Sequence, residues 1–195
     1  DINLPNIIAD VGFGREEIWS ITANPYEGNT GKRLARLKKS KWLLVYYWLK
    51  NKWVKKIKEI LENLKSEVPL FVSIAKTNSP EVCEYQKWIE DYIASLRELH
   101  DSQNIHGFVI NISCPNSFGW EDYTKPERLT GLLQAIQTLS IAKPILIKLP
   151  VDLEASPLAI LVEVCVEHNV SWVIIANLTK QRNTILDIEQ KQIEN

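Results

Sequence analysis

From residue 54 onward the chain alternates between two hydrophobic periods, and that alternation leaves few folds open to it. Val54, Ile57, Ile60, Leu61 and Leu64 fall on one helical face, with lysines and glutamates opposite. Pro69–Ala75 is an apolar run of strand length. Ser79-Pro80-Glu81 then has the form of a helix start, with Ser at the cap and Pro at the first helical position. That helix buries Tyr85, Ile89, Tyr92, Ile93, Leu96 and Leu99. Further strands are predicted over Gly107–Ile112, Pro144–Leu149 and Trp172–Ala176, with helices over 126–139 and 156–167 between them. The unit repeats every ~35 residues, the spacing of βα units. Strands that are apolar throughout are covered on both faces, which implies parallel strands joined by right-handed helical crossovers. An α/β barrel and a doubly wound sheet both satisfy this pattern. No strand runs into a G-x-G-x-x-G or Walker-type loop, which weighs against a nucleotide-binding doubly wound sheet.

The first third of the chain is less regular. Residues 17–22 alternate polar and apolar as a short strand, and Asn24–Gly31 is rich in turn formers. Lys32–Lys41 is locally basic and reads as a solvated loop or helix face, or as a phosphate or partner contact. Leu43–Leu49 is apolar and aromatic, and its periodicity does not decide between helix and strand. At 195 residues the chain is long enough for one well-buried domain. A formal net charge of −1 supplies no global attraction to nucleic acid or anionic membrane. No apolar stretch reaches the ~18 residues of a transmembrane helix. Cys83, Cys114 and Cys165 are widely spaced, which suits a reducing compartment and offers neither a disulfide framework nor a zinc site.

Polar residues gather where the strands end. The first strand gives Thr22; the second gives Ser73 and then Lys76-Thr77-Asn78. The third gives Asn111, Ser113, Cys114 and Asn116; the fourth carries Lys148; the last gives Asn177 and Thr179. In a parallel barrel these ends share the face on which active sites lie. The set has no carboxylate pair for glycoside hydrolysis and no His beside Cys114 for acyl transfer. A lysine in an apolar strand, beside amides and hydroxyls, suits a cofactor that becomes anionic, such as reduced flavin. Alternatively, Lys148 snorkels from the strand end to solvent. Cys114 is either a small buried hydrophobe or, among those polar neighbours, a tuned base toward a carbon acid.

Asn111-Ile112-Ser113-Cys114-Pro115-Asn116 resembles the catalytic loop of the dihydroorotate dehydrogenases, flavin-dependent TIM barrels of pyrimidine synthesis. Ser20-Ile21-Thr22, Glu27-Gly28-Asn29 with Arg33-Leu34, Ser73-Ile74-Ala75, Lys148-Leu149-Pro150 and Asn177-Leu178-Thr179 agree in order. The resemblance implies an α/β fold, a partial TIM (β/α)8 barrel, with residues 1–195 forming a single partial FMN-binding domain that lacks its terminal strands. It implies FMN as cofactor, contacted by Thr22, Ser73, Asn111 and Lys148. Cys114 would be the catalytic base, and Asn111, Asn116 and Asn177 would bind dihydroorotate or orotate. It is compatible with a homodimer and implies no nucleic-acid partner. Cys at the base position looks like the soluble class 1 enzymes, which implies a cytoplasmic protein. The electron acceptor stays open between fumarate, NAD and quinone, and a quinone-linked enzyme would associate peripherally with a membrane. Another flavin-barrel pyrimidine oxidoreductase and a non-catalytic barrel fragment are the competing readings. Trp19, Trp48, Trp53 and Trp172 fall where the resembled family usually has glycine, in a chain with seven Trp and seven Gly. Either these are genuine divergences, or glycine codons stand behind them, as when UGA is read under the wrong genetic code.

Overall fold

Each apolar run that the spacing assigns to a strand pairs with the next one along the chain. The computed structural model describes residues 8–46, 49–50, 52–113, 123–179, 181, 183 and 189. Its elements are β1 (Glu16–Ile21), β2 (Leu34–Leu37), β3 (Trp42–Val45), α1 (Val54–Glu62), β4 (Leu70–Ile74), α2 (Tyr85–Leu99), β5 (Gly107–Asn111), α3 (Pro126–Gln137), β6 (Ile145–Leu149), α4 (Ala155–Glu167) and β7 (Trp172–Ile175). Five strands form one parallel sheet in the order β1-β4-β5-β6-β7.

The pleat separates two kinds of surface. On one face Ile18, Val72, Ile74, Phe108, Ile110 and Ile147 join Ile57, Leu61, Tyr92, Leu96, Leu132 and Leu161 of the helices in a continuous core. The other face carries a small separate cluster of Phe71, Val109 and Leu146, with Ile174 against it. All the described helices therefore cover the same side. A doubly wound sheet reverses its strand order and is covered by helices on both faces. This sheet does neither. It is an arc of a (β/α)8 barrel, with the second face turned inward.

Phe71 fills that inner face so closely that a Cβ on Gly107, its partner in register, would stand 2.3 Å from a ring carbon. Glycine is therefore required at the start of β5 by contact, not by backbone angle.

Three local details differ from the sequence expectations. The basic run of residues 32–41 is not simply a loop or helix face. It contains β2, paired antiparallel with β3, and this hairpin also settles the first part of the undecided Leu43–Leu49 run as strand. Ala35 and Leu37 are buried, while Leu34 is exposed, so the inward pattern is not the one hydrophobicity suggests. Ser79-Pro80-Glu81 opens a 3₁₀ turn over Pro80–Val82, and α2 begins only at Tyr85. The Val82 carbonyl accepts a hydrogen bond from Lys76 Nζ at 3.1 Å, so this turn is tied to the β4 exit and not continued into α2.

Three of the tryptophans at glycine-like positions are described. Trp19 and Trp172 are 49% and 58% exposed, so neither is packed into the core of the described arc. Trp53, at the N-cap of α1, sits at φ 88, ψ 138. That lies outside the ordinary left-handed well, in a region that only glycine enters freely. Trp48 lies outside the described residues. Trp53→Gly is expected to raise unfolding free energy by about 1 kcal/mol, read from urea denaturation. Unchanged or lower stability would show that the tryptophan is accommodated without strain. The intact mass of the native protein separates genuine tryptophan from glycine at these positions.

Candidate active site at the carboxyl ends of the strands

Residues paired in register point the same way, so the sheet pairings identify the inner face. Glu17 pairs with Phe71 and Phe71 with Gly107; Ser73 pairs with Val109 and Val109 with Leu146; Asn111 pairs with Lys148 and Lys148 with Ile174. Near the amino ends this face is closed by Phe71, Val109 and Leu146. Towards the carboxyl ends it turns polar.

The β1 contribution depends on a bulge. Ile18 pairs with Val72 and Ile21 with Ile74, so Trp19 and Ser20 together face the single residue Ser73. The extra residue reverses the facing of the rest of the strand. Ile21 enters the helix-side core, and Ser20 turns inward. Its hydroxyl lies 2.9 Å from that of Ser73 and accepts a hydrogen bond from Asn111 Nδ2 at 2.7 Å.

Asn111 Oδ1 is equally occupied. It accepts from the Ser113 amide at 3.3 Å, the Ser113 hydroxyl at 3.1 Å and Asn177 Nδ2 at 3.2 Å. Asn177 Nδ2 also donates to the Ser113 hydroxyl at 2.9 Å, and Asn177 Oδ1 accepts from the Leu178 amide at 2.9 Å. Behind the cluster, the fully buried Tyr92 donates its hydroxyl to the Asn111 carbonyl at 2.8 Å, fixing the end of β5 against α2. Four elements and their exits thus meet in one hydrogen-bonded group.

Ser73, Asn111 and Asn177 are brought together as the sequence suggests. Lys148 shares their face, and its ammonium lies 3.3 Å from Glu17 Oε1. Thr22 lies one residue beyond β1, fully buried, with its hydroxyl donating to the Asn24 carbonyl at 2.6 Å. Cys114 and Asn116 lie outside the described residues. Cys165 is a buried thiol that desolvation pushes up to about 11, which leaves it inert, and Cys83 is exposed on the surface.

The sequence places Ser113 among the polar strand exits and Ser20 in the resembled motif but assigns neither a role, and it does not show the knot that Lys76 and Thr77 form with Asp91 beside the site. The fully buried Lys76 donates to the carbonyls of Thr77 and Val82 at 3.2 and 3.1 Å. Asp91 of α2 accepts from the Thr77 amide at 2.7 Å and from its hydroxyl at 2.8 Å. The same hydroxyl accepts from the Asn24 amide at 3.1 Å, so the knot ties α2 to the loops after β1 and β4. Desolvation holds the Asp91 carboxyl above the ordinary carboxylate range, outweighing the Thr77 hydrogen bonds and the nearby Lys76 ammonium, which pull it down.

A polar cluster at the carboxyl ends of a parallel barrel arc is the site-bearing face of a (β/α)8-barrel protein. The model of the family described as dihydroorotate dehydrogenase matches residues 4–195, and the chain belongs to that family. It is 30% identical over 179 residues to a dihydroorotate dehydrogenase (quinone) of Haloarcula marismortui, covering 92% of this chain and 49% of that protein. It is 30% identical over 176 residues to the enzyme of the same name from Mycolicibacterium smegmatis, covering 90% and 48%. The chain therefore spans about half the length of the curated relatives it matches. The crystal structure of a DHODH from Eimeria tenella in complex with ferulenol superimposes with a TM-score of 0.81 at 20% identity, over 95% of this chain and 56% of that one. At that identity the likeness establishes the barrel fold.

The raised Asp91 group sets a pH dependence. A carboxyl that is raised on folding contributes most stability below its unfolded value and loses that contribution as pH rises through its folded one. The unfolding free energy of the wild type minus that of Asp91→Asn should therefore fall from acid pH toward neutrality in urea titrations. A difference that stays flat or rises contradicts the assignment.

Proposed function

We propose that the chain carries the flavin and substrate face of a dihydroorotate dehydrogenase, oxidising dihydroorotate to orotate in pyrimidine synthesis with FMN as cofactor. The observation that carries this reading is the inner-face cluster of Ser20, Ser73, Asn111, Ser113 and Asn177, with the Lys148 ammonium on the same face. Its chemistry suits an isoalloxazine ring. Amides and hydroxyls offer both donors and acceptors to the polar pyrimidine edge, and a lysine offers positive charge where reduced flavin is negative. Ser20, Ser73, Asn111 and Lys148 would hold that ring. FMN, when bound, supplies the acceptor for the hydride that leaves C6 of the substrate.

The remaining work belongs to the protein. Cys114, next in the chain to Ser113, would remove the C5 proton as a thiolate base. Asn177, with Asn111 and Asn116, would hydrogen-bond the pyrimidine ring and its carboxylate and so fix C5 over the base. The electron acceptor is drawn two ways. Cys114 is the base type of the soluble class 1 enzymes, whereas the Haloarcula and Mycolicibacterium relatives are named for quinone. We favour quinone, because that likeness extends over nine-tenths of the chain while the base type rests on one residue.

Anaerobic addition of dihydroorotate to the flavin-loaded native protein is expected to bleach the flavin absorbance, and a soluble quinone should restore it faster than fumarate or NAD. Cys114→Ala should retain FMN and lose at least about a hundredfold in the rate of bleaching, the span of a general base. A protein that binds no FMN, or bleaching that survives Cys114→Ala, contradicts the reading.

A further inference from the structure

We infer that Glu17 is the positioning residue for Lys148, holding its ammonium in place on the inner face of the barrel. The two residues come from strands that are not neighbours. The sheet order is β1-β4-β5-β6, so the 3.3 Å contact between Glu17 Oε1 and Lys148 Nζ reaches across two intervening strands on the concave side. Only side chains turned to the same inner face of a curved sheet can do this, and the register places both there, through Phe71 for Glu17 and through Asn111 for Lys148.

Phe71 stands beside Glu17 in register, and with Val109 and Leu146 it forms the apolar cluster of the same face. The side chains of Glu17 and Lys148 are only 28% and 22% exposed, so the pair is partly withdrawn from water and less screened than a surface ion pair. An unpaired lysine here would turn its flexible stem toward solvent at the strand end. Glu17 restrains that swing and keeps the ammonium over the inner face that also carries Asn111. Glu17 itself makes no contact with the cluster among the described hydrogen bonds, so it acts through Lys148.

The flavin role of Lys148 rests on the function proposed above; the positioning role does not, and two measurements separate them. First, in the native protein without added flavin, Lys148 acylation by limiting acetic anhydride is followed by peptide mass spectrometry. Glu17→Gln should speed acylation of Lys148 about three- to tenfold while leaving Lys143 and the surface lysines unchanged. Equal rates overturn the proposal whether or not the protein binds flavin.

Second, FMN affinity is measured by quenching of flavin fluorescence. Removing a negative charge would by itself tighten binding of an anionic ligand. Weaker binding is therefore the mark of lost preorganisation. Glu17→Gln should weaken FMN about three- to tenfold, and should have no further effect in a Lys148→Gln background. Tighter or unchanged binding in the Lys148 protein, or an equal loss with and without Lys148, overturns the proposal. Unfolding curves of Glu17→Gln that superimpose on wild type exclude a general folding defect as the cause of either shift. A native protein that binds no FMN at all would remove the proposed function and leave the acylation result to decide the positioning role.

Discussion

Asn111 is fixed from both ends, and the rest of the site depends on that. Its carboxamide donates a hydrogen bond to the Ser20 hydroxyl and accepts from Ser113 and Asn177, while its main-chain carbonyl accepts from the Tyr92 hydroxyl. A buried amide with only some of these partners would be destabilising, because each unsatisfied group carries its full desolvation penalty. Partnered at its amide nitrogen, its amide oxygen and its main-chain carbonyl, it joins the exits of β1, β4, β5 and β7 into one group. The bonds among Ser20, Ser73 and Asn111 run across a sheet whose helix-side face is a continuous apolar core, so their geometry is set by packing, and Ser113 and Asn177 join them from the exits of β5 and β7.

The division of the sheet into two faces explains how apolar strands can end in a polar site. In β4, β5 and β6 both faces are hidden along most of the strand, so the sequence shows runs with no alternation. Only the last inward residue of each of these three departs from this. Ser73, Asn111 and Lys148 are those residues, which is why they are legible as a group in the sequence alone. The strand and helix order is legible for a related reason, since the two hydrophobic periods are clean from Val54 onward.

The features that were not legible arise from interactions that a periodic pattern does not encode. The bulge at Trp19–Ser20 changes which β1 side chains face inward, so Ser20 joins the cluster while Thr22 turns to the Asn24 carbonyl. The β2–β3 hairpin hides behind lysines and an exposed leucine. The buried Lys76 reads as one more polar residue at a strand exit, although it is fully enclosed and tied to the 3₁₀ turn. The pairing of Glu17 with Lys148 needs the curvature of the sheet, which no single strand contains.

The claim on which the functional account stands is that the Asn111 cluster is the seat of the flavin ring. FMN affinity of Asn111→Ala, measured by flavin fluorescence on protein whose circular dichroism matches wild type, tests it most directly. Binding at least about tenfold weaker is expected, the loss that follows when an anchoring amide is removed from a network of buried hydrogen bonds. Wild-type affinity in that variant would contradict it.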